Sequence, residues 1–316
     1  MIARRLLPVL AIVLAAGLAA CQPADRADVE DAASEAAAEA SSKAHVVEVT
    51  ARDFAFDAPD EVPSGWTTFR MTNAGEQEHF LYIYRLPENK TFEQFQEEAM
   101  VPFGRVWEQY ASGEIDRAAA EAGLGSEIPG WFFTELEPSG GPALTEPGET
   151  SQATVRLEPG TYVMECYVKT PEGEWHTELG MQRELTVTAD STGALPPEAD
   201  AELTLSNYQI TISGELTAGT RTVAVHVQEN PEGFMLHDVN LFRLEEGTEI
   251  QEIVEWMDWM DLEGFRAPAP GYSLGGVEHM GAGGTGYMTV ELEAGNYAWV
   301  SEGYGVRGMV RLFTVE

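Results

Sequence analysis

Two cysteines in 316 residues, Cys21 and Cys166, exclude a fold stapled by several disulfides. Basic residues are scarce too: 18 Lys and Arg stand against 53 Asp and Glu, for a formal net charge of −35. A surface with so little cationic density cannot displace counterions from phosphates, which argues against nucleic acid as a partner. It favours solubility and basic partners, or a salty habitat, and says little about fold. Long apolar runs are missing as well. The stretch from Leu6 to Ala20 follows Arg4 and Arg5 and is too short to span a bilayer comfortably as a mature helix. Positive residues, an apolar run and small residues before Cys21 form the layout of a secretory signal.

The tetrad Leu18-Ala19-Ala20-Cys21 resembles the lipobox of bacterial lipoproteins. That resemblance implies removal of residues 1–20, a lipid on Cys21, and attachment to a membrane through the lipid alone, facing the periplasm. Gln22 in place of Asp implies the outer membrane. Residues 21–44 hold Ala, Glu, Asp and Ser with almost no large apolar side chain, so they cannot offset their ordering entropy and read as an acidic tether. With Cys21 lipidated, Cys166 has no intramolecular partner in an oxidising compartment. Such a thiol is either buried and inert or used.

Beyond the tether the chain repeats itself. The stretch "GGPALTEPGETSQATVRLEPGTYVMEC", Gly140 to Cys166, aligns without a gap on "GGVEHMGAGGTGYMTVELEAGNYAWVS", Gly275 to Ser301, at a constant offset of 135. Upstream, "HFLYIYRL" from His79 matches "HDVNLFRL" from His237. Downstream, Gly180-Met181 matches Gly308-Met309. The duplicated unit is a whole domain, 45–189 and 202–316, with a Gly- and Pro-containing linker at 190–201. In the first unit, strands are expected at Val46–Ala51, Thr67–Thr72, Phe80–Leu86, Ala153–Leu157, Tyr162–Tyr167 and Glu184–Thr188. The class is all-β: two tandem sandwiches, each with a short helical insertion. Thr91-Phe-Glu-Gln and Thr248-Glu-Ile-Gln fit a helix-capping pattern at the start of each insertion. Phe92, Phe95, Ala99 and Met100 in one, and Ile250, Ile253, Val254 and Met257 in the other, lie at helical spacing and read as core cover.

Period-two alternation places Tyr162, Met164 and Cys166 on one strand face and Val163, Glu165 and Tyr167 on the other. After Cys166 the loop "CYVKTPEGEWHTELGM" returns His176 and Met181 to the same rim, and His79 opens the strand that follows the turn "NAGEQE". Singly, each has a plainer use: a buried thiol, a solvated or hydrogen-bonded histidine, a core methionine. Together they are two imidazoles, a thiolate and a thioether, the donors that copper takes in electron-transfer sites.

This order and spacing resemble the cupredoxin family, in which an isolated His precedes a Cys, His and Met cluster on the last loop of a Greek-key sandwich. Nine residues between Cys166 and His176, Trp before His and Gly before Met, are similar to the type 1 loop of copper nitrite reductases. The resemblance implies one type 1 copper held by His79, Cys166, His176 and Met181. It also implies that His176 reaches an apolar surface patch, lined by Trp175 and Pro171, where electrons pass. Glu165 stands where those reductases carry a histidine for a second copper, and the chain has only six histidines. An electron carrier therefore fits better than a catalyst, its partners being redox proteins of the cell envelope. A copper-delivery protein handing its ion to an envelope acceptor, or a metal-free binding module, would share most of these features. In the second unit Ser301 replaces the cysteine and the loop is seven residues shorter. A Cu(I) set of Met235, His237, His279, Met280 and Met309 is a weaker alternative to a metal-free, structural second unit.

Overall fold

Strand β1 (His45–Arg52) buries Val47, Val49 and Ala51 and turns the intervening residues outward, the period of a half-buried strand. It opens an all-β architecture with short helical insertions, as the sequence implies; the computed structural model describes residues 44–231 and 235–316. The signal, Cys21 and the tether up to residue 43 lie outside the described residues. Among the described residues, no helix is long and apolar enough to cross a membrane.

The strands β2 (Ala55–Asp57), β3 (Glu61–Asn73), β4 (Tyr82–Arg85), β5 (Glu137–Gly140), β6 (Thr150–Leu157), β7 (Gly160–Glu165) and β8 (Gln182–Ser191) make the first half. The second half is β9 (Ala201–Ser206), β10 (Gln209–Gly214), β11 (Gly219–Val227), β12 (His237–Leu244), β13 (Tyr272–Met280), β14 (Thr285–Leu292), β15 (Gly295–Val300) and β16 (Val310–Val315). One layer runs β2-β1-β3-β6-β14-β11-β9-β10 and the other β8-β7-β4-β5-β13-β12-β15-β16. Strand β3 crosses between them: Glu61–Ser64 pairs with β8, and Gly65–Thr72 pairs with β6. The halves are thus joined edge to edge. Tyr287 and Met288 of β14 pair with Thr154 and Ala153 of β6, and Met280 of β13 pairs with Ser139 of β5. These short junctions cover part of what would be open sheet edges in each half. Two apolar clusters fill the space between the layers. One holds Val47, Phe69 and Val155 against Ile83, Met164 and Leu185; the other holds Leu203 and Val225 against Leu241 and Trp299.

Two strands of the repeat correspond to the residue. Adding 135 to the bounds of β6 and β7 gives those of β14 and β15. The Tyr162 hydroxyl donates to the Glu158 carbonyl at 2.8 Å, and Tyr297 repeats this bond to Glu293 at 2.8 Å.

The first insertion starts as expected. Thr91 Oγ1 accepts from the Gln94 amide at 3.2 Å, and the Gln94 side chain accepts from the Thr91 amide at 3.0 Å, closing a capping box on the helix Phe92–Phe95. A π-helical turn, Gln96–Met100, leads into the helix Val101–Ala111; Phe95 and Ala99 are fully buried. The second insertion departs from expectation. Its helix is Ile250–Trp256, and Thr248 lies outside it in a turn, with its amide on the Glu245 carbonyl, so no side chain caps it. Ile253, Val254 and Met257 are buried in the core.

Candidate metal centre

His79, Cys166 and His176 come together at one end of the first half. Both imidazoles turn Nδ1 toward the Cys166 sulfur, each at 3.7 Å. All three side chains are fully buried, as is Met181.

Local structure explains each placement. The turn Asn73–Glu78 folds around the buried Asn73 side chain, which donates to the carbonyls of Gln77 (2.7 Å) and Thr145 (2.9 Å) and accepts from the Gly75 amide (2.9 Å). This sets His79 in a two-way backbone bridge with Thr145. Cys166 lies just past β7, its amide on the Met181 carbonyl at 3.1 Å, while the Met181 amide bonds the His176 carbonyl at 2.9 Å. The long Cys-to-His spacing is a folded-back excursion. Lys169 bridges Trp175, Thr170 and Glu174 close the tip around Gly173, and the His176 amide returns to the Val168 carbonyl at 2.8 Å.

The other nitrogen of each ring is held from behind. His79 Nε2 lies 2.7 Å from Asp53 Oδ1, whose second oxygen accepts from the Glu76 amide at 2.8 Å. His176 Nε2 lies 3.0 Å from Gln77 Oε1. With Nε2–H donated outward, each Nδ1 lone pair points inward, the tautomer that a metal requires. Burial lowers the His79 pKa and takes that of His176 down to about 3, so both rings are neutral at pH 7. Burial pushes the Cys166 thiol up, against the amides of Phe80 and Val168 directed at the sulfur. Without an ion the thiol stays protonated and inert, which is how it survives unpaired. For Asp53, burial raises the pKa, but the Glu76 amide and His79 carry it below the ordinary value.

Nothing in the sequence marks Asp53 or Gln77, since a polar residue distant from the histidine it supports carries no periodic signal. Replacing Asp53 with Asn removes the charge behind His79 and weakens the preference for its inward Nδ1 lone pair. We expect copper affinity to fall by about 10- to 100-fold, measured by competition with a chromophoric chelator.

One expectation changes. Trp175 is not a surface residue: it is fully buried, with ring centroids 4.7 Å from Trp107 and 5.8 Å from Phe103. The Phe54 ring packs against His176, tilted by 50° with centroids 4.7 Å apart, and Leu179 is an exposed apolar residue of the same loop. The other face of β7 is buried as well. Glu165 there accepts from Tyr84 (2.6 Å), Thr177 (2.6 Å) and Gln182 (3.0 Å), tying β7 to the residue after His176.

The second half clamps the loop. Lys169, fully buried, exchanges backbone hydrogen bonds with Phe265 and Ala267, and its Nζ donates to the carbonyls of Trp259 (3.0 Å) and Asp261 (2.7 Å) between the rings of Trp107 and Trp175. In the second half itself, His237 is buried with neither ring nitrogen hydrogen-bonded, and Ser301 donates to Asp238 at 2.7 Å. His279 turns to other partners, so Met235, His237, His279, Met280 and Met309 do not pool their donors as one set.

No family model matches the chain, and no curated protein matches it. Among solved structures it is similar to the dithionite-reduced auracyanin of Roseiflexus castenholzii, at 22% identity over 46% of this chain and 98% of that one, with a TM-score of 0.25. Auracyanin A, a "blue" copper protein from Chloroflexus aurantiacus, matches at 22% identity over 46% and 100%, with a TM-score of 0.27. Auracyanin B matches at 19% over 46% and 89%, also at 0.27. Likeness at that level assigns no chemistry to this chain, which has to be derived from its own side chains.

Proposed function

We propose that the first half holds one copper ion through His79, Cys166 and His176, with Met181 as a weak fourth contact, and serves one-electron transfer in the cell envelope as a lipid-anchored, periplasm-facing protein. The observation that carries this is the sulfur of Cys166 with an inward Nδ1 on either side, 3.7 Å away in each case. Two nitrogens and a thiolate, with a thioether at hand, are a copper donor set.

Copper would supply a single electron, taken up and returned. The chain's part is to keep its ligands from moving while that happens. Asp53 and Gln77 fix the two rings, Glu165 and Thr177 fix the loop behind His176, and the Lys169 clamp ties that loop to the second half. Burial keeps water away from the sulfur. His176, the Phe54 ring against it and the exposed Leu179 offer an apolar way outward, so redox partners would dock there; delivery of copper to an acceptor would use the same face.

The test is the visible spectrum of the full chain with one equivalent of Cu(II). An intense copper-thiolate band is expected. His176→Gly should lose it and regain it with added imidazole. A colourless wild-type protein with stoichiometric copper bound sinks the electron-transfer reading.

A further inference from the structure

Tyr167, the residue after Cys166, points its hydroxyl into the second half. It donates to Glu302 Oε2 at 3.0 Å and lies 3.0 Å from His279 Nε2. Around that point stand Asp238, His279 and Glu302, with a potential ligand atom of each within 4.8 Å of the others. All are buried, and none belongs to the centre described above.

Three observations separate this cluster from an ordinary polar network. His279 Nδ1 donates to the Leu236 carbonyl at 2.9 Å, which directs Nε2 at the cluster; ligating imidazoles are oriented by such a bond. Glu302 is only 1% exposed, yet its Oε1 has no hydrogen-bond partner. A buried carboxylate oxygen left that way is unfavourable unless something else satisfies it. Asp238 is itself positioned: Oδ1 accepts from Ser301 and the Glu302 amide, and Oδ2 from Asn240, at 2.7 to 2.9 Å. Charge points the same way. Glu278 lies beside the three, also buried with an oxygen unpartnered, and the one ion pair in the group is His279 with Glu302.

We propose that Asp238, His279 and Glu302 bind a second metal ion, a divalent first-row cation such as zinc or manganese, at the junction of the two halves. One imidazole and two carboxylates suit such an ion, whereas Cu(I) favours sulfur. His279 and Tyr167 also line a cavity of about 180 Å³ that has Glu165 among its walls. Tyr167 makes it one residue removed from the Cys166 sulfur.

The test is calorimetric titration of zinc into the copper-loaded full chain, and into His79→Ala/Cys166→Ser, which lacks the first cluster. One equivalent should bind in both, so a failure of the copper reading leaves this one standing. Glu302→Gln should weaken binding by about 100-fold and abolish the rise in thermal midpoint that zinc confers on the wild type. Should the variants not fold, anomalous scattering at the zinc edge from crystals of the unaltered chain should place the ion on His279 Nε2. No zinc, manganese or cobalt bound beyond the first site, or equal affinity in Glu302→Gln, would overturn the proposal.

Discussion

Serine in place of Cys166 should remove all visible colour from the copper-loaded protein and leave the fold intact. The colour requires a thiolate, and the two remaining imidazoles cannot supply its charge transfer. The fold survives because the chain already contains this exchange. Ser301 occupies the equivalent position of the second half, is fully buried, and meets Asp238 at 2.7 Å. A serine at 166 would have two inward Nδ1 acceptors and the same backbone bond to Met181. Its cost should stay near about 1 kcal/mol, the scale of one exchanged hydrogen bond. Absorption between copper-loaded variants, with a thermal melt of each, checks both parts. Colour surviving the substitution would mean that another group holds the copper, and an unfolded variant would mean that the thiol is mainly a packing residue.

The strands of the repeat were legible because β-sheet periodicity and turn residues are local. The register of β6 and β7 in β14 and β15 follows from the ungapped offset, and the capping box at Thr91 from four consecutive residues. Thr248 matched the same pattern and does not cap, because its turn ends one residue too late for its side chain to reach the helix. The triplet of His79, Cys166 and His176 was legible as donor types at characteristic spacings. Asp53 and Gln77 were not, since a hydrogen bond between residues 26 or 99 apart is chosen by tertiary packing alone. The same holds for Trp175: a Trp in a polar loop reads as surface until the second half supplies Trp259 and Phe265 to cover that loop. Alternation in β7 separates Glu165 from the face of Cys166 but does not tell what covers it: that second face is the seam with the helices and the second half, where the carboxylate is satisfied by Tyr84 and Thr177 rather than by water. His279 was visible only as a neighbour of methionines. Glu302 gave one usable sign, an acid at the repeat position of Tyr167.

Gly141→Ala should be the most damaging single-methyl change in the chain, and Gly276→Ala its equal. Both glycines end the "GG" pair of the repeat, with φ of +134° and +155°. An added Cβ at Gly141 would collide with the Leu81 carbonyl, and at Gly276 with the Val239 carbonyl, the same place in the two halves. Backbone cannot yield as a side-chain tip can, so strand and loop must separate. Gly148 isolates the conformational part of the cost, because its φ is +84° but nothing lies within 4 Å of its Cβ position. Gly148→Ala should therefore lose about 1 kcal/mol, the left-handed penalty alone. Gly141→Ala should lose about 3 kcal/mol or more as strain and steric displacement add, read as urea midpoints at constant slope. The damage should also reach the metal centre. Leu81 follows Phe80, whose amide points at the Cys166 sulfur, and its own amide bonds Pro142 at 2.8 Å. Moving that strand displaces His79, so a folded Gly141→Ala protein should bind copper with a shifted band, whereas Gly276→Ala should lose stability with the band unchanged. If Gly141→Ala and Gly148→Ala melt alike, the close approach to Leu81 is not what holds the histidine strand in place.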